Sequence, residues 1–94
     1  MSNQTEANFW KSIRTGLSST DTFCTRIENT SALGTPDLLL LDRNKSFHLI
    51  ELKVAKGNKV LLSPHQIAFC VRHRGANSWV LVKKNDDVLL YRAD

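Results

Sequence analysis

Apolar residues recur along this 94-residue chain at two different spacings, one typical of helices and one typical of strands. The helical spacing appears first near the N-terminus, where Ala7, Trp10, Ile13 and Leu17 would share one face. This stripe predicts a first helix over about residues 4–17.

A second helix is predicted mainly by the signals at its two ends. Ser63 is a favourable N-cap, Pro64 suits the first helical position, and Gly75 suits the C′ position just past the end. The apolar stripe between these signals is short and consists of Ile67, Cys70 and Val71.

Runs of apolar or alternating residues outside these helices predict strands. They cover residues 22–28, 37–42, 46–55, 78–83 and 88–92. The second and third runs are apolar on both faces, which is typical of buried neighbouring strands. The order α-β-β-β-α-β-β predicts an α/β fold, a mixed sheet with a helix on each side. Its second helix would form a parallel crossover between the third and fourth strands.

The composition is that of a globular protein, with 41% hydrophobic and 23% charged residues, so we expect residues 1–94 to form a single domain. A net charge of +4 favours a polyanionic partner. No apolar run approaches the roughly 18 residues of a membrane span, and the polar N-terminus lacks a secretory signal. Cys24 and Cys70 lie in no metal-binding spacing, which favours two buried thiols in a reduced, cytoplasmic setting over a zinc site.

Three charged residues interrupt the two buried strands. Asp37 opens one strand, and Glu51 and Lys53 lie two positions apart in the other, where alternation places them on the same face. Apolar neighbours on both sides argue against a simple exposed ion pair. Burying such charges costs several kcal/mol unless they are paired or bind a metal, so we expect them to be functional.

Phosphodiester hydrolysis would use this combination of residues. A hard divalent cation lowers the pKa of a bound water and neutralises charge on the phosphoryl oxygens. Mg²⁺ prefers oxygen ligands, which Asp37, Glu51 and the backbone carbonyl of Leu52 would supply, and Mn²⁺ is expected to substitute. Lys53 would orient the attacking water or stabilise the transition state. The pattern therefore predicts a magnesium-dependent phosphodiesterase site.

Three segments of the chain resemble the PD-(D/E)xK nuclease superfamily and, within it, the virus-type replication-repair nuclease (VRR-Nuc) domain. They are Gly-Thr-Pro-Asp at 34–37, Ile-Glu-Leu-Lys at 50–53 and Leu-Ser-Pro-His-Gln at 62–66. The resemblance implies a restriction-endonuclease-like αβββαββ core with a mixed sheet flanked by helices. At Cys70 the chain departs from relatives that carry Tyr or Trp there, and its own aromatic residue is the preceding Phe69.

The resemblance also implies roles for individual residues. Asp37 and Glu51 match the metal-binding acids, Lys53 the catalytic lysine, and Gln66 the glutamine of the second helix. Glu6 matches the acid of the first helix. The residues themselves leave two alternatives open, because Gln66 also completes a capping box with Ser63 and Glu6 would complete a similar cap with Asn3.

The function implied by the resemblance is that of a metal-dependent, structure-selective DNA endonuclease similar to Holliday junction resolvases, leaving 5′-phosphate ends. We expect a homodimer that acts on branched DNA, contains no nucleotide cofactor, and comes from a phage or a bacterium. Two alternatives remain, a monomeric nuclease that nicks DNA or cuts flaps, and a catalytically silent DNA-binding module. The presence of Asp37, Glu51 and Lys53 argues against the silent module.

Overall fold

The order of helices and strands is the predicted one. The computed structural model describes residues 5–27 and 34–93. Its elements are α1 (Glu6–Leu17), β1 (Phe23–Arg26), β2 (Leu38–Leu41), β3 (Phe47–Val54), α2 (Pro64–Arg72), β4 (Ser78–Lys84) and β5 (Asp87–Arg92). Neither helix in this described part is long and apolar enough to cross a membrane.

The strands form one five-stranded sheet in which neighbours in sequence are neighbours in space, in the order β1-β2-β3-β4-β5. Three of the four pairings are antiparallel, and β3 and β4 pair in parallel. A parallel pairing needs a crossover connection, and α2 lies within that connection. The predicted mixed α/β sheet is therefore confirmed.

The apolar core lies between α1 and one face of the sheet. Phe9 of α1 is buried against Leu38, Ile50 and Leu52. Partly buried apolar side chains surround this group: Trp10, Ile13, Cys24, Leu40, Val54, Trp79 and Leu81. Because side chains alternate along β3, Glu51 and Lys53 lie on the face opposite Ile50 and Leu52. The charged residues thus lie on the other face of the sheet from this cluster, paired with Val80 and Val82 of β4, which are also buried.

The second helix begins as predicted and ends earlier than predicted. Ser63 is its N-cap, but its last residue is Arg72 and its C-cap is His73. The predicted assignment of Gly75 to the C′ position is wrong, because Arg74 occupies it. The His73 ring stacks on Phe69 at 3.9 Å between centroids, and the two backbones are hydrogen bonded at the C-cap. Gly75, with φ of 92°, belongs to the turn that follows.

Apolar side chains of α2 and β5 are among those that remain exposed in the described structure. No side chain of α2 is buried, and Ile67 and Val71 of its stripe are about half exposed. The expectation of two buried thiols is also wrong, since Cys24 and Cys70 are only half-buried. The edge strand β5 exposes four large side chains in succession: Val88, Leu89, Leu90 and Tyr91.

Candidate metal centre

The pairing of β2 with β3 brings Asp37 and Glu51 together. Leu38 is the first residue of β2 and pairs with Ile50, so continuing the antiparallel register by one residue places Asp37 beside Glu51. Beyond this point β3 has no β2 residue next to it. The Asp37 carboxylate takes that place and accepts a hydrogen bond of 2.8 Å from the backbone N–H of Leu52. This bond fixes the Asp37 side chain against β3.

A third carboxylate comes from α1. Glu6 is the first residue of that helix, and Thr5 is the N-cap, accepting a 3.1 Å hydrogen bond from the Asn8 N–H. Asn3, on which the alternative cap with Glu6 depends, lies outside the described residues. Oxygen atoms of Glu6, Asp37 and Glu51 lie within 4.8 Å of one another. The packing of Phe9 onto the sheet positions this end of the helix.

Burial and the neighbouring Asp37 raise the pKa values of two carboxyl groups in the centre, Glu51 and Glu6. Glu51 is 6% exposed, and its burial, its hydrogen bond with Asp37 and the charge of Asp37 raise its pKa to about 9. The pKa of Glu6 is also raised, first by desolvation and then by Asp37, while Lys53 and Arg26 act in the opposite direction. Without a cation, full ionisation of the centre is therefore unfavourable, and Glu51 retains its proton at neutral pH.

Lys53 lies next to this centre, as the sequence predicts. It is half-buried, and its positive charge lowers the pKa values of Glu51 and Glu6 against the larger effects that raise them. Lys53 and Glu6 also line a cavity of about 380 Å³, whose other walls are Val54, Lys56, Lys59 and Leu61. The cavity gives a substrate access to the lysine and to one carboxylate of the centre.

Gln66 occupies the helix cap that was one of its two predicted roles. Its Oε1 accepts a 2.9 Å hydrogen bond from the Ser63 N–H, and its own N–H donates to the Ser63 hydroxyl. These reciprocal bonds complete a capping box at the start of α2. The catalytic role of Gln66 stays a prediction.

Leu52 contributes to the core and to the centre with different atoms. Its side chain is 3% exposed within the core, while its N–H holds Asp37. The role of its backbone carbonyl as a metal ligand stays a prediction.

Gly34 is a residue whose importance the sequence pattern did not reveal. Its φ is 84°, and a Cβ atom added there would lie 2.2 Å from the carbonyl oxygen of His65 and 3.0 Å from the Gln66 nitrogen. The chain leading to Asp37 therefore touches the first turn of α2 backbone to backbone. A glycine three residues before the aspartate was the available signal, because glycine permits both a positive φ and such a close approach.

The ligand atoms in the centre suit a hard divalent cation. Three carboxylates offer only oxygen, which Mg²⁺, Mn²⁺ and Ca²⁺ prefer, and their mutual repulsion would be relieved by a positive ion. Glu6, Asp37 and Glu51 therefore fit the metal that the sequence predicts, by their chemistry and by their convergence.

Comparisons with known proteins identify the fold. No protein-family model matches the chain, and no curated protein is significantly similar to it in sequence. Among solved structures, it is similar to Hjc, a Holliday junction resolvase from the archaeon Archaeoglobus fulgidus, with a TM-score of 0.72 and 19% identity over 93% of this chain and 76% of Hjc.

A structure described as a VRR_NUC domain is also similar, with a TM-score of 0.66 and 25% identity over 84% of each chain. These similarities confirm the predicted restriction-endonuclease-like fold and the resemblance to the VRR-Nuc domain.

Proposed function

We propose that this protein is a divalent-metal-dependent endonuclease that hydrolyses phosphodiester bonds in branched DNA. The observation that carries the proposal is the convergence of Glu6, Asp37 and Glu51 within 4.8 Å, beside Lys53. The similar structure from Archaeoglobus fulgidus is a Holliday junction resolvase, which supports branched DNA as the substrate.

Glu6, Asp37 and Glu51 would hold the cation, and the Leu52 carbonyl is proposed as a further ligand. When bound, Mg²⁺ or Mn²⁺ would lower the pKa of a water molecule and neutralise charge that develops on the phosphoryl oxygens. The carboxylates must be ionised to act as ligands, so the raised pKa of Glu51 means that cation binding displaces a proton.

Lys53 is proposed to stabilise the transition state. Its ammonium group donates hydrogen bonds and carries the positive charge next to the carboxylates, so it is suited to contact a phosphoryl oxygen or to orient the attacking water. The Gln66 side-chain oxygen is engaged with the cap, and we propose its role as positioning the start of α2 against Gly34 and Asp37.

A homodimer is proposed as the acting form, because a symmetric four-way junction requires two related cuts. The edge strand β5 offers the surface for a second copy, with Val88 to Tyr91 about 40–55% exposed. Two β5 strands paired antiparallel about their centre would place Asp87 of one copy opposite Arg92 of the other. Charge complementarity at both ends therefore supports a symmetric pairing of this strand.

A cleavage assay with three DNA substrates tests the function. A four-way junction, a flap and a linear duplex, each end-labelled, would be incubated with the protein in Mg²⁺, Mn²⁺ or EDTA. We expect paired cuts in the junction with either metal, little cleavage of the duplex, and none in EDTA. The Glu51→Gln variant serves as the control for a contaminating nuclease.

Either of two results would contradict the proposal. Cleavage that continues in EDTA would contradict the proposed metal dependence. Equal cleavage by wild type and Glu51→Gln would assign the activity to a contaminating nuclease. Flap cleavage by a protein of monomeric mass would instead favour the monomeric alternative.

A further inference from the structure

We propose that the turn at residues 56–59 is a second phosphate site, which binds the phosphodiester next to the scissile one on the cleaved strand. The inference rests on the proposed nuclease function and adds a substrate contact to it. The turn directly follows β3, the strand that carries Glu51 and Lys53, and its two lysines line the same cavity as Lys53 and Glu6.

The backbone of this turn holds Lys56 and Lys59 side by side. The two residues exchange N–H···O bonds of 3.0 Å and 3.1 Å and form an antiparallel bridge. Gly57, with φ of 62°, occupies the first central position of the turn, where a type II′ hairpin needs glycine. Residues directly opposite in such a bridge direct their side chains to the same side. The pair is therefore a preformed double cation.

This arrangement is unfavourable in the protein alone. Like charges directly opposite each other destabilise a strand pair, and both side chains are exposed. Within residues 5–27 and 34–93, no carboxylate forms an ion pair with either lysine. A phosphate between the two ammonium groups would supply the missing negative charge.

The cavity has the mixed chemistry of a nucleotide-binding surface. Lys53, Lys56 and Lys59 provide cations, while Val54 and the 75% exposed Leu61 provide an apolar wall. A DNA backbone presents the same alternation, with a charged phosphate followed by an apolar sugar face. The cavity volume of about 380 Å³ leaves room for such a segment.

The spacing assigns the turn to a different phosphate from the one at the metal centre. Lys56 follows Lys53 by three residues, about 10 Å of extended chain. Lys53 adjoins the carboxylates, whereas Lys56 and Lys59 line the same cavity from the turn beyond the end of β3. One continuous strand of DNA would thus contact Lys53 at the scissile phosphate and the turn at its neighbour.

The test combines lysine substitutions with single neutral phosphates. Affinity for a four-way junction would be measured by fluorescence anisotropy in Ca²⁺, an oxygen-liganded cation, with a denaturing gel to verify that the DNA stays intact. A set of junctions would each carry one methylphosphonate, within two nucleotides of the cleavage position. Wild type, Lys56→Ala/Lys59→Ala and Lys45→Asn would be compared on each.

We expect one methylphosphonate position, next to the scissile phosphate, to weaken wild-type binding about fivefold, as for loss of an exposed charge pair. The double variant should bind the unmodified junction more weakly, with a salt slope smaller by about one to two units, and should be insensitive to that methylphosphonate. Lys45→Asn is the control, because it removes one charge from the β2–β3 turn, and asparagine tolerates the φ of 66° at residue 45. This variant should respond to the methylphosphonate as wild type does.

The inference is overturned if no methylphosphonate flanking the scissile position weakens wild-type binding. It is equally overturned if the double variant keeps the wild-type sensitivity at every position. Failure of the nuclease proposal gives a different result, namely no metal-dependent cleavage by wild type. Metal-dependent cleavage with a flat methylphosphonate profile would therefore reject the second phosphate site alone.

Discussion

Substitution of Glu51 by Gln should make the metal-free protein more stable while it removes activity. Glu51 is 6% exposed, and its pKa is raised from an ordinary value of 4.5 to about 9 by burial, by its hydrogen bond with Asp37 and by the charge of Asp37. Glutamine has nearly the same shape, stays neutral, and its amide group can donate a hydrogen bond to Asp37.

The sign and size of the effect follow from proton linkage. Between pH 4.5 and 9 the folded protein retains a proton on Glu51 that the unfolded chain releases, so the free energy of unfolding decreases as pH rises. Each pH unit in this window costs about 1.4 kcal/mol, which gives about 3 kcal/mol at pH 7. Glutamine does not titrate, so the free energy of unfolding of the variant does not include this decrease.

Urea denaturation in EDTA at pH 5 and pH 7 measures the difference. Glu51→Gln and wild type should be within about 1 kcal/mol of each other at pH 5, and the variant should be more stable by about 3 kcal/mol at pH 7. Asp21→Asn, at an exposed position in the α1–β1 connection, serves as the control and should follow wild type. A Glu51→Gln variant no more stable than wild type at pH 7 would refute the buried, proton-binding state of Glu51.

Four other predictions concern individual parts of the structure. Lys53→Ala should reduce single-turnover cleavage by about 10²- to 10³-fold with little change in DNA affinity, and a parallel loss of affinity would make Lys53 a binding residue instead. Gly34→Ala should destabilise the fold by about 1–3 kcal/mol in urea denaturation, because the methyl group meets the His65 carbonyl at a positive φ. Asp42→Asn should reduce the loss of stability at acid pH. The hydrogen bond with His48, followed by those from the Ser46 and Asn44 N–H groups, lowers the pKa of Asp42. The contribution of Asp42 to the free energy of unfolding is therefore present above pH 3.8 and is lost as pH falls through the folded-state pKa. Light scattering should give about twice the 10.6 kDa monomer mass, and Leu90→Lys should return the monomer; a wild-type mass near 10.6 kDa would contradict the dimer.

Local signals in the sequence predicted much of the fold. Alternation and apolar runs located every strand to within a few residues, and Ser63 with Pro64 located the start of α2. Adjacency of β2 and β3 followed from their short polar connection and apolar character. These features depend on neighbouring residues, so the sequence contains them directly.

Features that depend on tertiary packing were harder to predict from the sequence. Glu6 joins Asp37 and Glu51 only because Phe9 packs α1 against the sheet, and no local pattern distinguishes that glutamate from a helix cap. The helix α2 ends at Arg72, with His73 stacked on Phe69, before the position that the glycine signal indicated. The exposure of Ile67 and Val71 likewise reflects what covers the helix, which an apolar stripe does not specify.

The backbone contact of Gly34 with α2 is another feature that could not be predicted from the sequence. A glycine in a loop has many explanations, and only the positions of His65 and Gln66 reveal that backbone contact excludes a side chain. Gly34 thus connects the segment that carries Asp37, just before β2, to the helix that carries Gln66, through space rather than along the chain.

The most direct test of the central claim is junction cleavage by Asp37→Asn compared with Asp21→Asn. Both variants remove one carboxylate, but only Asp37 belongs to the cluster with Glu6 and Glu51. In Mg²⁺, at equal concentrations of folded protein, we expect Asp21→Asn to cleave a four-way junction at the wild-type rate and Asp37→Asn to give no detectable product while still binding the junction. Wild-type turnover by Asp37→Asn would contradict the metal centre and the function built on it.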